Sequence, residues 1–179
     1  MKRKIVQTLY FVTILIALAP VASAQEWAGQ DTSRRHKSPT CTMAGRAGEY
    51  GLTWSGTMFL PTGAVPAVSV GKITFDDAGN VEGAQTVSRG GAVSELTFRG
   101  TYTVNPDCRG TITVSVYDQS GSLASNVTWA TVSFNNMTEA HGVMTSFVAA
   151  NGANVPVAIT SHVVKLFPES RDDDGNDGR

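Results

Sequence analysis

Residues 92–117 read AVSELTFRGTYTVNPDCRGTITVSVY. In the first half Leu96, Phe98, Tyr102 and Val104 hold even positions, while Glu95, Thr97, Arg99, Thr101 and Thr103 alternate with them. Successive side chains of an extended chain point to opposite faces, so this period of two predicts a half-buried strand with one apolar and one wet surface. Asn105-Pro106-Asp107 supplies turn chemistry, and Ile112, Val114 and Val116 then resume the apolar face. Two alternating runs joined by a tight turn predict an antiparallel hairpin. Gly100 interrupts the apolar side of the first run and predicts a bend or bulge there.

The same unit recurs on both sides. Residues 50–60 place Tyr50, Leu52, Trp54, Met58 and Leu60 on one face, and residues 68–75 and 81–88 flank the turn cluster Asp76-Asp77-Ala78-Gly79-Asn80. Further strands are predicted over 123–134, 140–148 and 155–167, separated by Asp118-Gln119-Ser120-Gly121, Asn135-Asn136 and Asn151-Gly152-Ala153-Asn154. No stretch sustains helical periodicity over three turns. The fold class is therefore all-β: an antiparallel eight-stranded up-and-down barrel, whose closure removes exposed strand edges. A two-sheet β-sandwich is the alternative, and it lacks a connection long enough for an obvious Greek-key crossover.

Outside these strands the composition changes. Met1-Lys2-Arg3-Lys4, an apolar run from Leu9 to Leu18, and Ala22-Ser23-Ala24 predict a secretory signal peptide over residues 1–24. Its apolar core breaks at Pro20, short of the roughly 20 residues that span a bilayer, so no integral membrane segment is expected after cleavage. Residues 25–40 read as a flexible leader, 41–168 as a single barrel domain, and 169–179 as a disordered acidic tail. These features predict a secreted or periplasmic protein. Losing Lys2, Arg3 and Lys4 leaves 11 basic residues against 15 acidic ones, with no basic stripe to neutralise phosphates, which argues against a nucleic-acid partner. The two cysteines, Cys41 and Cys108, are predicted to pair in an oxidising compartment.

Three segments carry a resemblance: Gly100-Thr101-Tyr102-Thr103-Val104-Asn105-Pro106-Asp107-Cys108-Arg109-Gly110-Thr111, the apolar-glycine segment 60–66, and the hairpin tip 74–80. Across most of residues 46–167 the chain resembles a group of small secreted bacterial proteins of unassigned function. In architecture it is similar to lipocalin-like and allene-oxide-cyclase-like barrels. That likeness implies a cup-shaped fold and carries no catalytic residue with it.

Candidate chemistry is sparse. Serine hydrolysis calls for a nucleophile on a sharp Gly-x-Ser-x-Gly turn, which is absent. Of the three histidines, His36 lies in the leader, and His141 and His162 sit on separate strands without a recognised acid or second histidine at ligand spacing, so neither a metal nor a cofactor is expected. Asp172, Asp174 and Asn176 imitate a calcium loop, but Asp177 stands where its glycine belongs and no closing glutamate follows. Asp76, Asp77, Asn80 and Glu82 crowd one hairpin tip, where turn formation explains them better than calcium.

Glu95 and Arg99 share a strand face four residues apart and would orient a polar ligand group if that face turned inward; their alternation with threonines argues for solvent. Small-molecule sites are concave and mainly apolar. Residues 61–67 read as an apolar connection at the barrel rim, and Trp54, Phe59, Val65, Phe98, Tyr102 and Trp129 are the candidate pocket or lid residues. A solid core built from the same side chains is the competing reading, because an eight-stranded barrel is just wide enough for one ligand. The functional expectation is an exported, non-enzymatic barrel that binds a small apolar or amphipathic molecule. A cyclase- or isomerase-type enzyme and an interaction module with a filled core are the alternatives.

Overall fold

The computed structural model describes residues 40–167. The expected signal peptide, all but the last residue of the leader, and the acidic tail lie outside the described residues. Alternation produces eight antiparallel strands: β1 (Gly48–Leu60), β2 (Gly63–Phe75), β3 (Asn80–Arg89), β4 (Ala92–Val104), β5 (Arg109–Tyr117), β6 (Leu123–Phe134), β7 (Glu139–Ala149) and β8 (Val157–Lys165). Each pairs with the next, and β8 returns to β1 from Tyr50↔Lys165 to Met58↔Val157, closing an up-and-down barrel. The sandwich alternative is thereby excluded. No helix among the described residues is long and apolar enough to cross a membrane.

Two local expectations are corrected. Residues 61–67 are not a rim connection: the turn is Pro61-Thr62 alone, and β2 already pairs with β1 at Leu60↔Gly63 and Met58↔Val65. Pro66 is tolerated in the ladder because its carbonyl is the working group, accepting the Gly90 N–H at 2.9 Å. Gly100 marks no bulge, since pairing with β3 and β5 runs through it in register. A Cβ there would lie 2.0 Å from the Thr113 carbonyl oxygen and 2.8 Å from Val114 Cα, so glycine permits a close approach of two backbones inside the coiled sheet. Register instead shifts at Val116/Tyr117 and at Thr128/Trp129, the latter leaving Thr145 unpaired so that Met144 and Phe147, three residues apart, both face inward.

One end of the barrel is closed. The Cys41–Cys108 disulfide ties the incoming chain to the β4–β5 turn. Between them α1 (Met43–Arg46), capped by the Thr42 hydroxyl accepting from Gly45 N–H at 3.1 Å, lies across the opening. Arg46 is buried with its guanidinium 4.5 Å from the ring centroids of both Tyr50 and Phe75, whose planes stand at 87° to each other, so the desolvated cation contacts two aromatic rings at once. The Tyr50 hydroxyl shares its proton between Arg46 O at 2.9 Å and Met137 O at 2.8 Å. The Tyr102 hydroxyl bonds Met43 O at 3.1 Å and also Asp76 O. Burial raises the Tyr50 phenol and pushes that of Tyr102 up to about 12.

Candidate ligand site in the barrel interior

Inward positions of all eight strands fill most of the space inside the barrel and leave a cavity of about 60 Å³, walled by Trp54, Phe98, Trp129, Met58, Met144 and Phe147 among others. The wall is apolar because each strand contributes one parity of its sequence. The inward positions Ser69, Gln85, Arg89 and Ser125 break that parity with polar groups, and their bonding differs.

Gln85 is buried on β3, where its Oε1 accepts the Trp54 indole N–H at 2.8 Å and the Ser69 hydroxyl at 3.0 Å. Both lone pairs of that oxygen are in use, and it links the three side chains across β1, β2 and β3. Ser125 on β6, 1% exposed, has no hydrogen-bond partner for Oγ among the described residues, and neither does the buried Nε of Arg89. Arg89 closes the inward row of β3 with its guanidinium 5.9 Å from the Phe147 ring centroid. Burial lowers its pKa, and no carboxylate among the described residues reaches ion-pair distance of it. Buried donors left unpaired in a native fold call for an explanation, because each costs about 1–3 kcal/mol. The chemistry on offer is an apolar chamber with a cationic donor and a hydroxyl in its wall.

The sequence-derived candidates fall in four places. Trp54, Phe98 and Trp129 line the cavity. Tyr102 is buried but sits in the closed end, its hydroxyl committed to backbone carbonyls. Val65 is half-buried on β2 against Gly90, and Phe59, 48% exposed, points outward, so neither forms a lid. Glu95 and Arg99 also lie on the outer wall, as the threonine alternation indicates: Glu95 accepts the Thr86 hydroxyl at 2.7 Å, and Arg99 covers the Tyr117 ring at 5.0 Å. Neither reaches the interior. At the β2–β3 tip both Asp76 oxygens are taken by Asn80, through its N–H and its side-chain amide at 2.6 Å each, in agreement with turn formation.

The two strand histidines, expected to stand apart from each other and from any acid, instead form one cluster with Glu139. His141 and His162 lie directly opposite each other on β7 and β8, and Glu139 shares their outer face because it stands two residues from His141. Glu139 Oε1 meets His162 Nε2 at 2.8 Å and His141 Nε2 at 3.2 Å, and these bonds hold its carboxyl below the usual carboxylate range. The signal was present in the Glu-x-His spacing together with the short β7–β8 connection. Gln85 and Ser125 were legible too, as polar residues on the apolar parity of their strands, whereas Arg89 lies one residue past the strand predicted over 81–88 and joins the inward row because β3 runs on to it.

No protein-family model matches the chain, and its sequence has no significant match among curated proteins.

Proposed function

We propose that this protein is an exported β-barrel that binds a small amphipathic molecule inside the barrel, with an apolar body against Trp54, Phe98 and Trp129 and an anionic head at Arg89. The observation that carries the reading is the pair of buried polar atoms in the cavity wall, Arg89 Nε and Ser125 Oγ, that find no partner among the described residues. An anionic head supplies acceptors for both and neutralises a desolvated cation, which an apolar molecule does not. The basic start, apolar core and small-residue site of residues 1–24 support export, and the disulfide fits an oxidising compartment. The proposed resemblance to lipocalin-like barrels points the same way.

Size restricts the ligand. The cavity is about a fifth of the roughly 300 Å³ at which drug-sized sites begin, so the ligand is slender and its entrance requires side chains to move. Met58 and Met144 are the cheapest to move, being unbranched with three rotatable bonds. Titration with hexanoate, followed by tryptophan fluorescence, tests the reading. The expected result is saturable binding that weakens about 10- to 100-fold in Arg89→Met, the loss of one charged hydrogen bond. Equal affinity for hexanol and hexanoate, or an unchanged constant in the variant, removes Arg89 as the head-group site; no saturation with either removes the interior as a binding site.

A further inference from the structure

On the wall of the barrel, remote in chemistry from the apolar interior, we infer that Glu139, His141 and His162 form a binding site for a divalent transition-metal ion of the zinc and copper class. Each of the three residues offers a ligand atom within 4.8 Å of those of the other two, and Glu139 Oε1 stands 2.8 Å from His162 Nε2 and 3.2 Å from His141 Nε2. Ligands about 2.0–2.1 Å from a tetrahedral ion stand roughly 3.3 Å apart, so an ion fits between them with shifts of a few tenths of an ångström in the two carboxylate–imidazole separations. The donor set selects the class: imidazole with one carboxylate suits zinc, copper and nickel, whereas calcium and magnesium demand an oxygen shell.

The scaffold holds these atoms in place. His141 and His162 are cross-strand partners in a closed sheet, with ring centroids 4.6 Å apart. The edge-to-face contact of Phe134 with His141, centroids 5.4 Å apart, limits that ring's rotation. Asn135 donates to Glu139 Oε2 at 2.6 Å, orienting the carboxylate so that Oε1 faces both imidazoles, the kind of outer contact that supports metal ligands elsewhere. Binding requires each ring to present the Nε2 lone pair with its proton on Nδ1. Both rings are solvent-accessible, with side chains 59% and 41% exposed, so water carries the proton from one nitrogen to the other. Three protein ligands leave a fourth position for water or an outside group.

The test is calorimetric titration of Zn²⁺, and separately Cu²⁺, into untagged protein dialysed against chelator. One ion per chain is expected, with Cu²⁺ tighter than Zn²⁺ and no competition from excess Mg²⁺. His141→Ala and His162→Ala should each abolish measurable Zn²⁺ binding. Asn135→Ala, which touches no ion, should weaken it by about 10- to 100-fold. Substituting Co²⁺ should give the intense visible absorption of a four-coordinate site, lost in both histidine variants. His141 and His162 are on the outer face of their strands, so circular dichroism and melting of the two histidine variants in chelator should match the parent and show that folding is intact; Asn135 lies in the β6–β7 turn at φ 48°, a left-handed conformation that alanine disfavours, so Asn135→Ala is titrated well below its own melting transition. Absence of stoichiometric binding, or binding that survives His141→Ala with His162→Ala, overturns the proposal.

Discussion

Trp54 and Gln85, 31 positions apart in sequence, are joined by a 2.8 Å hydrogen bond inside the barrel, from the indole N–H to an amide oxygen that also accepts from Ser69. This contact makes a polar side chain an asset to an apolar core, because every participating atom of the pair is satisfied.

Replacing the acceptor should therefore cost more than its size suggests. Gln85→Leu leaves the Trp54 N–H and the Ser69 hydroxyl without their partner, and each unsatisfied buried donor is worth about 1–3 kcal/mol. The urea midpoint should fall with an unchanged slope. A variant as stable as the parent would mean that the network contributes nothing.

Ser125 predicts the opposite sign. Its hydroxyl is buried and unpartnered, so Ser125→Ala should raise stability by about 1 kcal/mol in the absence of ligand while weakening hexanoate binding. A loss of stability of that size would show that the hydroxyl already has a partner in the unliganded protein.

The disulfide joins residues 67 positions apart and holds the closing segment α1 against the barrel end. In the loop-entropy model its removal costs about 4 kcal/mol. Denaturant unfolding with and without reductant should show that loss, and the parent and a Cys41→Ser/Cys108→Ser double variant should agree under reducing conditions. Equal stability with and without the bond would contradict a role in closing the barrel.

Alkaline pH should weaken the same end. The Tyr102 phenol is raised from its ordinary value near 10 to about 12 by burial, followed by the field of Asp76. Between these values the folded chain holds a proton that the unfolded chain has released, so stability falls as pH rises through that interval. Tyr102→Phe should be less stable at pH 7, having lost bonds to Met43 O and Asp76 O, and its melting temperature should decline less steeply from pH 10 to 12. Equal slopes for parent and variant would place the alkaline loss elsewhere.

The barrel was legible in the sequence because a period of two is a local property: each strand carries its own inside and outside, and eight of them with short turns leave closure as the economical arrangement. The disulfide was legible from two cysteines and an expected compartment. What escaped was non-local. Whether Gly100 bends a strand or admits a neighbouring backbone depends on Thr113 and Val114, which alternation alone does not bring to it. Residues 61–67 looked like a loop because proline and glycine usually break strands, yet Pro66 needs no donor where it sits. Glu139, His141 and His162 converge only once the β7–β8 register is known, although the Glu-x-His spacing was visible. Phe59 and Trp54 read alike as aromatic residues of one strand, and their opposite parity sends one to solvent and the other to the cavity.

The interior site is tested most directly by a crystal structure of the protein soaked with 6-bromohexanoate, measured at the bromine absorption edge. The expected result is an anomalous peak inside the barrel between Trp54 and Trp129, with the carboxylate in ion-pair contact with Arg89 and the Met58 and Met144 side chains displaced. Bromine found solely on the outer wall, with the interior side chains unmoved, would contradict it.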